Sequence, residues 1–76
     1  MSSYTVYTMD NCPYCTAAKA LLTRKGLPFK EIRVPYDDDE QWDSLEKRTG
    51  MRTMPQIFKD DVLVGGYTEL RRSLES

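Results

Sequence analysis

The sequence has no histidine, only two cysteines and a single tryptophan among its 76 residues. A structural zinc site takes four Cys or His ligands, so one such chain does not supply it alone. Acidic and basic side chains nearly balance, giving a net charge of −1, and no basic excess indicates a nucleic-acid partner. No apolar run is as long as a membrane span. We therefore expect a protein that binds no nucleic acid, no membrane and no metal.

The chain is short and begins without a targeting signal. Its 76 residues predict one small domain, 1–76, that buries only about 60% of its unfolded surface. The first residues have no signal-peptide character, and Ser2 stands where N-myristoylation needs glycine. We expect a monomer in the reducing cytoplasm, where paired cysteines are catalytic or metal-binding rather than structural.

Both cysteines lie in the segment Cys12-Pro13-Tyr14-Cys15, at the predicted junction of a strand and a helix. Proline suits the first position of a helix, so Pro13 predicts that Cys12 is the N-cap. The N–H groups there have no intrahelical partner, and the helix dipole is positive at that end. Cysteines in this setting have pKa values of roughly 3.5 to 7.5. We expect the Cys12 thiol to be appreciably ionised at neutral pH, and Cys15, one turn later, less so.

The spacing of the two cysteines predicts a reversible disulfide. Residues three apart on a helix have Cβ atoms about 5–6 Å apart, and a disulfide needs about 3.5–4.5 Å, so a small tightening of the first turn joins them. Two other interpretations stay open. A permanent structural disulfide would close a tiny loop and stabilise the fold little, and a metal would need ligands from a second chain or from a small thiol.

Apolar patterns and turn signals predict seven elements in the order β-α-β-α-β-β-α. The predicted strands are 4–8, 29–34, 56–59 and 62–64. The predicted helices are 13–25 with Gly26 as C-cap, about 37–48 ended by Gly50, and a short last helix with Thr68 as N-cap. The first two strands form a parallel βαβ unit, with the first strand central. The order implies an α/β fold with a four-stranded mixed sheet and helices on both faces.

Three segments resemble those of the glutaredoxins of the small dithiol type. Cys12-Pro13-Tyr14-Cys15 resembles the redox centre of that family. Residues 53–58 (Thr-Met-Pro-Gln-Ile-Phe) resemble its Thr-Val-Pro-Gln-Ile-Phe segment, and residues 65–70 (Gly-Gly-Tyr-Thr-Glu-Leu) resemble its Gly-Gly-Tyr-Thr-Asp turn. The resemblance spans nearly the whole chain. It implies a thioredoxin fold with three helices, a cis proline at Pro55 and glutathione as the reductant.

The resemblance also implies a glutathione site beside the two cysteines. Its expected residues are Tyr14, Arg52, Thr53, Met54, Pro55, Gly66, Tyr67, Thr68 and Glu69. The backbone of Met54 would pair with the cysteinyl part of glutathione like an added strand. The N–H groups of Tyr67 and Thr68 would bind the γ-glutamyl carboxylate, and Glu69 the γ-glutamyl ammonium. A plainer interpretation stays open, in which these segments only begin a strand, cap a helix and pack.

The chain departs from the family before its first cysteine. Relatives usually carry Lys or Arg three residues earlier, where this chain has Met9, followed by Asp10. A missing cation and a nearby carboxylate both raise the pKa of that cysteine. For the glycine carboxylate of glutathione we predict Arg52 as partner, with Gln56 and Lys19 as alternatives. The Trp-Ser-Gly-Phe segment of glutaredoxin-like proteins that thioredoxin reductase reduces is absent, which favours glutathione as reductant.

The predicted function is that of a glutathione-dependent thiol–disulfide oxidoreductase. Cys12 attacks a protein disulfide or a glutathionylated thiol and forms a mixed disulfide. Cys15 resolves the mixed disulfide with a protein, and a second glutathione resolves the one with glutathione. By resemblance alone, ribonucleotide reductase is a further protein substrate.

Two functions of other classes stay open. Some glutaredoxins carry a [2Fe–2S] cluster between two chains, held by the first cysteine and glutathione, and such a protein would turn brown on reconstitution. The Pro-Tyr pair between the cysteines is not typical of those relatives. A thioredoxin reduced by a flavoenzyme usually has a longer chain with Trp-Cys-Gly-Pro-Cys.

Overall fold

The computed structural model describes residues 3–75, which form four strands and three helices in the predicted order. The strands are β1 (Tyr4–Thr8), β2 (Phe29–Arg33), β3 (Gln56–Lys59) and β4 (Val62–Gly65). The helices are α1 (Pro13–Arg24), α2 (Asp39–Thr49) and α3 (Tyr67–Glu75). This is the thioredoxin-like α/β arrangement that the sequence predicts. None of these helices is long and apolar enough to cross a membrane.

The four strands form one sheet in the order β2-β1-β3-β4. β1 is parallel to β2 and antiparallel to β3, and β3 is antiparallel to β4. The predicted central position of β1 is therefore confirmed. Tyr7, near the end of β1, pairs with Gln56 at the start of β3. Because of this register, the loop after β1 and the loop before β3 lie side by side at one edge of the sheet.

The main core lies on the sheet face that α1 and α3 cover. Its buried residues are Tyr4, Val6, Ala18, Leu21, Leu22, Ile57 and Leu70. They come from alternate positions of β1, from β3 and from the predicted apolar stripes of the two helices, with Leu74 packed against them. This packing fixes the start of α1 against the end of β1.

A smaller core lies on the opposite face, under α2, and consists of Val34, Trp42 and Leu45. The indole Nε1 of Trp42 donates a hydrogen bond to the Pro35 carbonyl at 3.0 Å. Partly buried side chains from the loops after β1 and before β3 pack on this cluster, Met9 and Met54 among them. Met9, at the position where relatives carry a cation, is therefore a packing residue here.

The predicted N-cap of the last helix, Thr68, is wrong. α3 begins at Tyr67, one residue earlier, so Thr68 lies within its first turn. The Glu69 Oε1 accepts a hydrogen bond from the Gly66 N–H at 2.7 Å. A glutamate at the third helical position that reaches back to the N-cap N–H forms half of a capping box. The cap is thus supplied by Glu69 rather than by the threonine hydroxyl.

Several other boundaries differ from the prediction by one or two residues, and both α2 and β4 end one residue later than predicted. The C-cap of α1 is Lys25, and Gly26 follows it with a left-handed φ of +71°. β2 ends before Val34, although the Val34 N–H still donates to the carbonyl at the end of β1 at 2.8 Å. α2 begins late because Asp38 is its N-cap and accepts a hydrogen bond from the Gln41 N–H.

Candidate active site

The two cysteines lie where β1 passes into α1. Cys12 is the N-cap of α1, with an extended backbone (φ −117°, ψ 98°), and Pro13 is the first helical residue, as predicted. The Cys12 Sγ accepts a hydrogen bond from the Cys15 N–H at 3.1 Å. The sulfur of Cys12 therefore lies at the positive end of the helix, on an N–H that has no intrahelical partner.

The two cysteines are joined in a disulfide, with Cα atoms 5.2 Å apart. Cys15 is only 2% exposed, whereas Cys12 is partly exposed. An incoming disulfide therefore reaches Cys12 first, which supports the predicted roles of attacking and resolving cysteine. The low pKa predicted for the Cys12 thiol concerns the reduced protein and stays a prediction.

The loop before β3 contacts this disulfide. The Met54–Pro55 peptide bond is cis, as predicted. The Met54 carbonyl oxygen lies 3.7 Å from the Cys12 Sγ. A backbone stretch with its own hydrogen-bonding groups therefore stands directly beside the reactive sulfur.

A groove of about 390 Å³ runs from this loop to the start of α3, on the β3–β4 side of the disulfide. Its lining residues are Tyr14, Met51, Thr53, Met54, Pro55, Gly66, Tyr67, Thr68 and Glu69. We call it the tyrosine groove, because the rings of Tyr14 and Tyr67 line it with centroids 6.0 Å apart. All the predicted glutathione contacts line this groove except Arg52. Met51 also lines it, and no motif in the sequence marks that residue.

The glycine pair at the end of β4 shapes one wall of the tyrosine groove. A Cβ on Gly66 would lie 3.3 Å from the Glu69 Oε1 and 3.6 Å from the Pro55 carbonyl oxygen. Just beyond it, α3 begins, and the first N–H groups of a helix have no intrahelical partner. The groove thus combines two aromatic rings, the Met54 backbone and a helix N-terminus.

A second cleft, of about 500 Å³, lies on the β2 side of the disulfide, and we call it the polar cleft. Its lining residues are Thr8, Met9, Asp10, Asn11, Cys12, Pro13, Cys15, Thr16, Lys19, Glu31 and Arg33. Both cysteines line the polar cleft, and neither lines the tyrosine groove. No motif in the sequence indicates this cleft, because its charged residues come from a loop, a helix and a strand that only the fold brings together.

Two ion pairs cross the polar cleft. Lys19 Nζ lies 3.0 Å from Glu31 Oε2, and Arg33 Nη1 lies 3.4 Å from Asp10 Oδ1. The hydroxyl of buried Thr8 also donates a hydrogen bond to Glu31 Oε2, at 2.7 Å. The Thr8 hydroxyl and then Lys19 hold the pKa of the Glu31 carboxyl below its usual value. Within residues 3–75, no three Asp, Glu, Cys or His side chains come together as around a metal ion.

The Thr8–Glu31 hydrogen bond should make stability depend on pH. Because the folded-state pKa of Glu31 lies below its ordinary value of 4.5, its contribution is complete above that pH and is lost as the pH falls through the folded-state pKa. We expect Thr8→Val to lower the free energy of unfolding by about 1 kcal/mol at pH 7 and by less at pH 3. Urea melts at both pH values measure this, with Thr5→Val as control. An equal loss at both pH values would contradict it.

The three side chains predicted for the glycine carboxylate of glutathione have partners elsewhere. Arg52 Nη1 lies 2.9 Å from Asp43 Oδ1 and 2.7 Å from Glu46 Oε1. The amide of buried Gln56 donates to two carbonyls of its own loop. Lys19 lies in the polar cleft. None of the three lines the tyrosine groove, and the contact of Arg52 with glutathione stays a prediction.

Comparison with known proteins gives one family. The glutaredoxin family model matches residues 4–64. Glutaredoxin 1 of Rickettsia felis is 44% identical over 66 residues, which are 86% of this chain and 65% of that protein. Glutaredoxin 3 of Escherichia coli is 40% identical over 70 residues, which are 92% of this chain and 83% of that protein. The chain thus spans just under two thirds of the Rickettsia relative.

Solved structures agree with this result. Glutaredoxin 1 of Francisella tularensis, in complex with cacodylate, has a TM-score of 0.87 at 30% identity, covering 99% of this chain and 94% of that one. The buckwheat glutaredoxin–glutathione complex has a TM-score of 0.87 at 25% identity, covering 97% and 69%. Brucella melitensis glutaredoxin has a TM-score of 0.81 at 41% identity, covering 96% and 78%. The fold predicted from the sequence is therefore confirmed.

Proposed function

This chain belongs to the glutaredoxin family, and from that premise we propose that it is a thiol–disulfide oxidoreductase with glutathione as its reductant. The observation that carries the proposal is the tyrosine groove, which begins at the Met54 carbonyl, 3.7 Å from the Cys12 Sγ. A tripeptide thiol in this groove would have its sulfur beside the attacking cysteine.

The size and the polar groups of the tyrosine groove support glutathione as the ligand. Sites for small molecules are commonly about 300–1,000 Å³, and this groove is about 390 Å³. The Met54 backbone is available to pair with the cysteinyl residue. The N–H groups of Tyr67 and Thr68 suit the γ-glutamyl carboxylate. The buckwheat relative forms a glutathione complex, and we extend that ligand to this chain.

The proposed reaction begins at Cys12. Its thiolate attacks one sulfur of a disulfide, a new bond forms between that sulfur and the Cys12 Sγ, and the other sulfur leaves as a thiolate that takes a proton from water. The helix N-terminus and the Cys15 N–H stabilise the attacking thiolate. Cys12 then carries either a protein or glutathione.

Two routes then release the bound thiol from Cys12. Cys15 displaces a bound thiol and leaves the Cys12–Cys15 disulfide, which is the state of the structure. Alternatively, a second glutathione attacks the sulfur of a bound glutathione, releases glutathione disulfide and does not need Cys15. The first route serves protein disulfides and the second serves glutathionylated thiols.

The partners and the compartment belong to the same proposal. We propose that the protein acts as a monomer in the reducing cytoplasm, because a thiol pair that must be reduced by glutathione needs a reducing compartment. Disulfide-bonded and glutathionylated proteins are its proposed substrates. Ribonucleotide reductase stays a prediction from the family resemblance.

Turnover of a small glutathione mixed disulfide tests the proposal. The assay supplies glutathione, glutathione reductase and NADPH, so that each turnover consumes NADPH. We expect saturable turnover that depends on glutathione. If NADPH is consumed no faster than without the protein, the proposed function is wrong.

Arg52 provides a second test of the glutathione site. If its guanidinium leaves Asp43 and Glu46 to bind the glycine carboxylate, Arg52→Gln should raise the KM for glutathione about fivefold, because an exposed ion pair contributes only modestly to binding. Arg24→Gln, an exposed arginine at the end of α1, is the matched control. An unchanged KM in Arg52→Gln would show that this residue serves only to hold its loop to α2.

A further inference from the structure

The proposed function requires Cys15 to ionise, and the following inference rests on that function. To displace a thiol from Cys12, the Cys15 thiol must first lose its proton, because the thiolate is the nucleophile. Cys15 is 2% exposed, and burial raises the pKa of a thiol. The buried cysteine therefore needs a charge that favours its thiolate and a path by which its proton leaves.

The polar cleft supplies the path. Cys15 lines this cleft and not the tyrosine groove. Water that reaches the Cys15 side chain therefore comes from the β2 side of the disulfide, while the proposed glutathione site lies on the other side. Substrate and proton thus have separate routes to the cysteine pair.

Lys19 supplies the charge. It follows Cys15 by four residues on α1, so the two side chains lie on one face of the helix, with Cβ atoms about 5–6 Å apart. Both line the polar cleft. The Lys19 ammonium is held 3.0 Å from Glu31 Oε2, and Glu31 is in turn held by the hydroxyl of buried Thr8. The ammonium is therefore fixed in the cleft rather than free in solvent.

We propose that Lys19 is the positioning residue for the resolving step: it stabilises the Cys15 thiolate electrostatically, and the polar cleft carries the Cys15 proton to solvent. The thiolate then attacks the Cys12 Sγ, the Cys12–Cys15 bond forms, and the bond between Cys12 and the departing thiol breaks. The departing thiolate takes a proton from water. Thiol and disulfide simply exchange, so no other oxidant or reductant is needed.

The other charges of the polar cleft do not replace Lys19. Asp10 and Arg33 form their own pair at 3.4 Å, with both side chains about two-thirds exposed, so solvent screens them. Glu31 opposes Lys19 in sign, but its carboxylate is turned to the Thr8 hydroxyl and to the ammonium itself. Glu31 serves as the anchor of Lys19 and not as a base, since those contacts lower the pKa of its carboxyl and make the carboxylate a weaker proton acceptor.

A titration of Cys15 without glutathione tests this inference directly. In the reduced Cys12→Ser protein, the ultraviolet absorbance of the thiolate reports the ionisation of Cys15. We expect Lys19→Gln to raise the midpoint by about one pH unit, and Lys19→Arg to restore it. Lys47→Gln, on exposed α2, is the matched control and should leave it unchanged. An unshifted midpoint in Lys19→Gln would overturn the inference.

The rate of disulfide closure gives a second readout. After glutathione is attached to Cys12, release of glutathione by Cys15 should be about tenfold slower in Lys19→Gln below the midpoint, and should approach the wild-type rate at high pH. A uniform loss at every pH would mean a purely structural role and would refute the inference. The proposed function is tested independently of Lys19. It is wrong if the Cys15→Ser protein does not turn over a glutathione mixed disulfide.

Discussion

Cys12→Ser should abolish the reduction of every disulfide substrate, whereas Cys15→Ser should retain turnover of glutathione mixed disulfides and lose the reduction of protein disulfides. The physical reason is the asymmetry of the pair. Cys12 is partly exposed at the helix N-terminus, beside the tyrosine groove, and Cys15 is buried behind it. In the proposed mechanism Cys12 meets the incoming disulfide, and only the protein route needs an internal thiol to complete it.

Two coupled assays with the same glutathione supply measure this difference. One uses a small glutathione mixed disulfide and the other a protein disulfide, with both variants and wild type compared. Thermal melts of the reduced proteins control for folding. If Cys15→Ser lost both activities equally, the two-route mechanism would be wrong. If Cys12→Ser kept either activity, the assignment of the attacking cysteine would be wrong.

Gly65→Ala should damage both stability and the glutathione site. Gly65 has a φ of +126°, and a Cβ there would lie 2.8 Å from the Glu69 Cγ and 2.9 Å from its Cβ. Alanine therefore adds backbone strain and pushes Glu69 away from the Gly66 N–H that it caps. We expect a loss of about 2–4 kcal/mol in the free energy of unfolding and a fall in kcat/KM on the order of tenfold to a hundredfold.

Gly26→Ala is the matched control for Gly65→Ala. Gly26 also has a positive φ, +71°, but nothing lies within 4 Å of a Cβ placed there. Gly26→Ala should therefore lower the free energy of unfolding by about 1–2 kcal/mol, through backbone strain alone, and leave kcat/KM unchanged. Urea melts and the glutathione mixed-disulfide assay on both variants separate strain from displacement of Glu69. Equal kcat/KM values for the two variants would contradict the role given to the Gly65–Glu69 contact.

Features with a local cause could be predicted from the sequence. Pro13 fixes the start of α1 and so places Cys12 at the N-cap, because proline presets φ and lacks the N–H that would have no intrahelical acceptor at that position. The resemblance of the segments around Pro55 and Gly66 to a known family predicts that they form one site. Each of these predictions needs only a short stretch of chain or a motif.

Features that depend on residues far apart in the chain could not be predicted in this way. The hydrogen bond from Thr8 to Glu31 joins residues 23 apart, and the ion pair from Lys19 to Glu31 joins residues 12 apart. In a strand pattern, Glu31 is one more polar position. Its role becomes visible only when the register of β1 and β2 brings it over α1. For this reason the sequence does not indicate the polar cleft.

The wrong N-cap at Thr68 has a local cause of its own. Threonine is a strong capping residue, and it follows a glycine pair and a tyrosine, where a helix start is plausible. The sequence offers a second solution, in which Gly66 is the N-cap and Glu69 reaches back to its N–H. The structure adopts that solution, with Leu70 buried in the main core.

The departure of this chain at Met9 also gains a physical account. The Met9 side chain packs, partly buried, on the cluster of Val34, Trp42 and Leu45, so this position contributes apolar contact rather than a charge beside Cys12. The cations near the cysteines instead come from α1 and β2, as Lys19 and Arg33 in the polar cleft. A basic residue before the first cysteine is therefore not the only way to place positive charge beside this redox centre.

We propose that glutathione bound to Cys12 lies in the tyrosine groove, and nuclear Overhauser contacts measure this directly. The sample is the Cys15→Ser protein carrying one glutathione in disulfide linkage to Cys12. We expect contacts from the cysteinyl protons of glutathione to the Met54 backbone, and from its γ-glutamyl protons to Tyr67 and Thr68. Contacts to the polar cleft instead, at Glu31 for example, would contradict it.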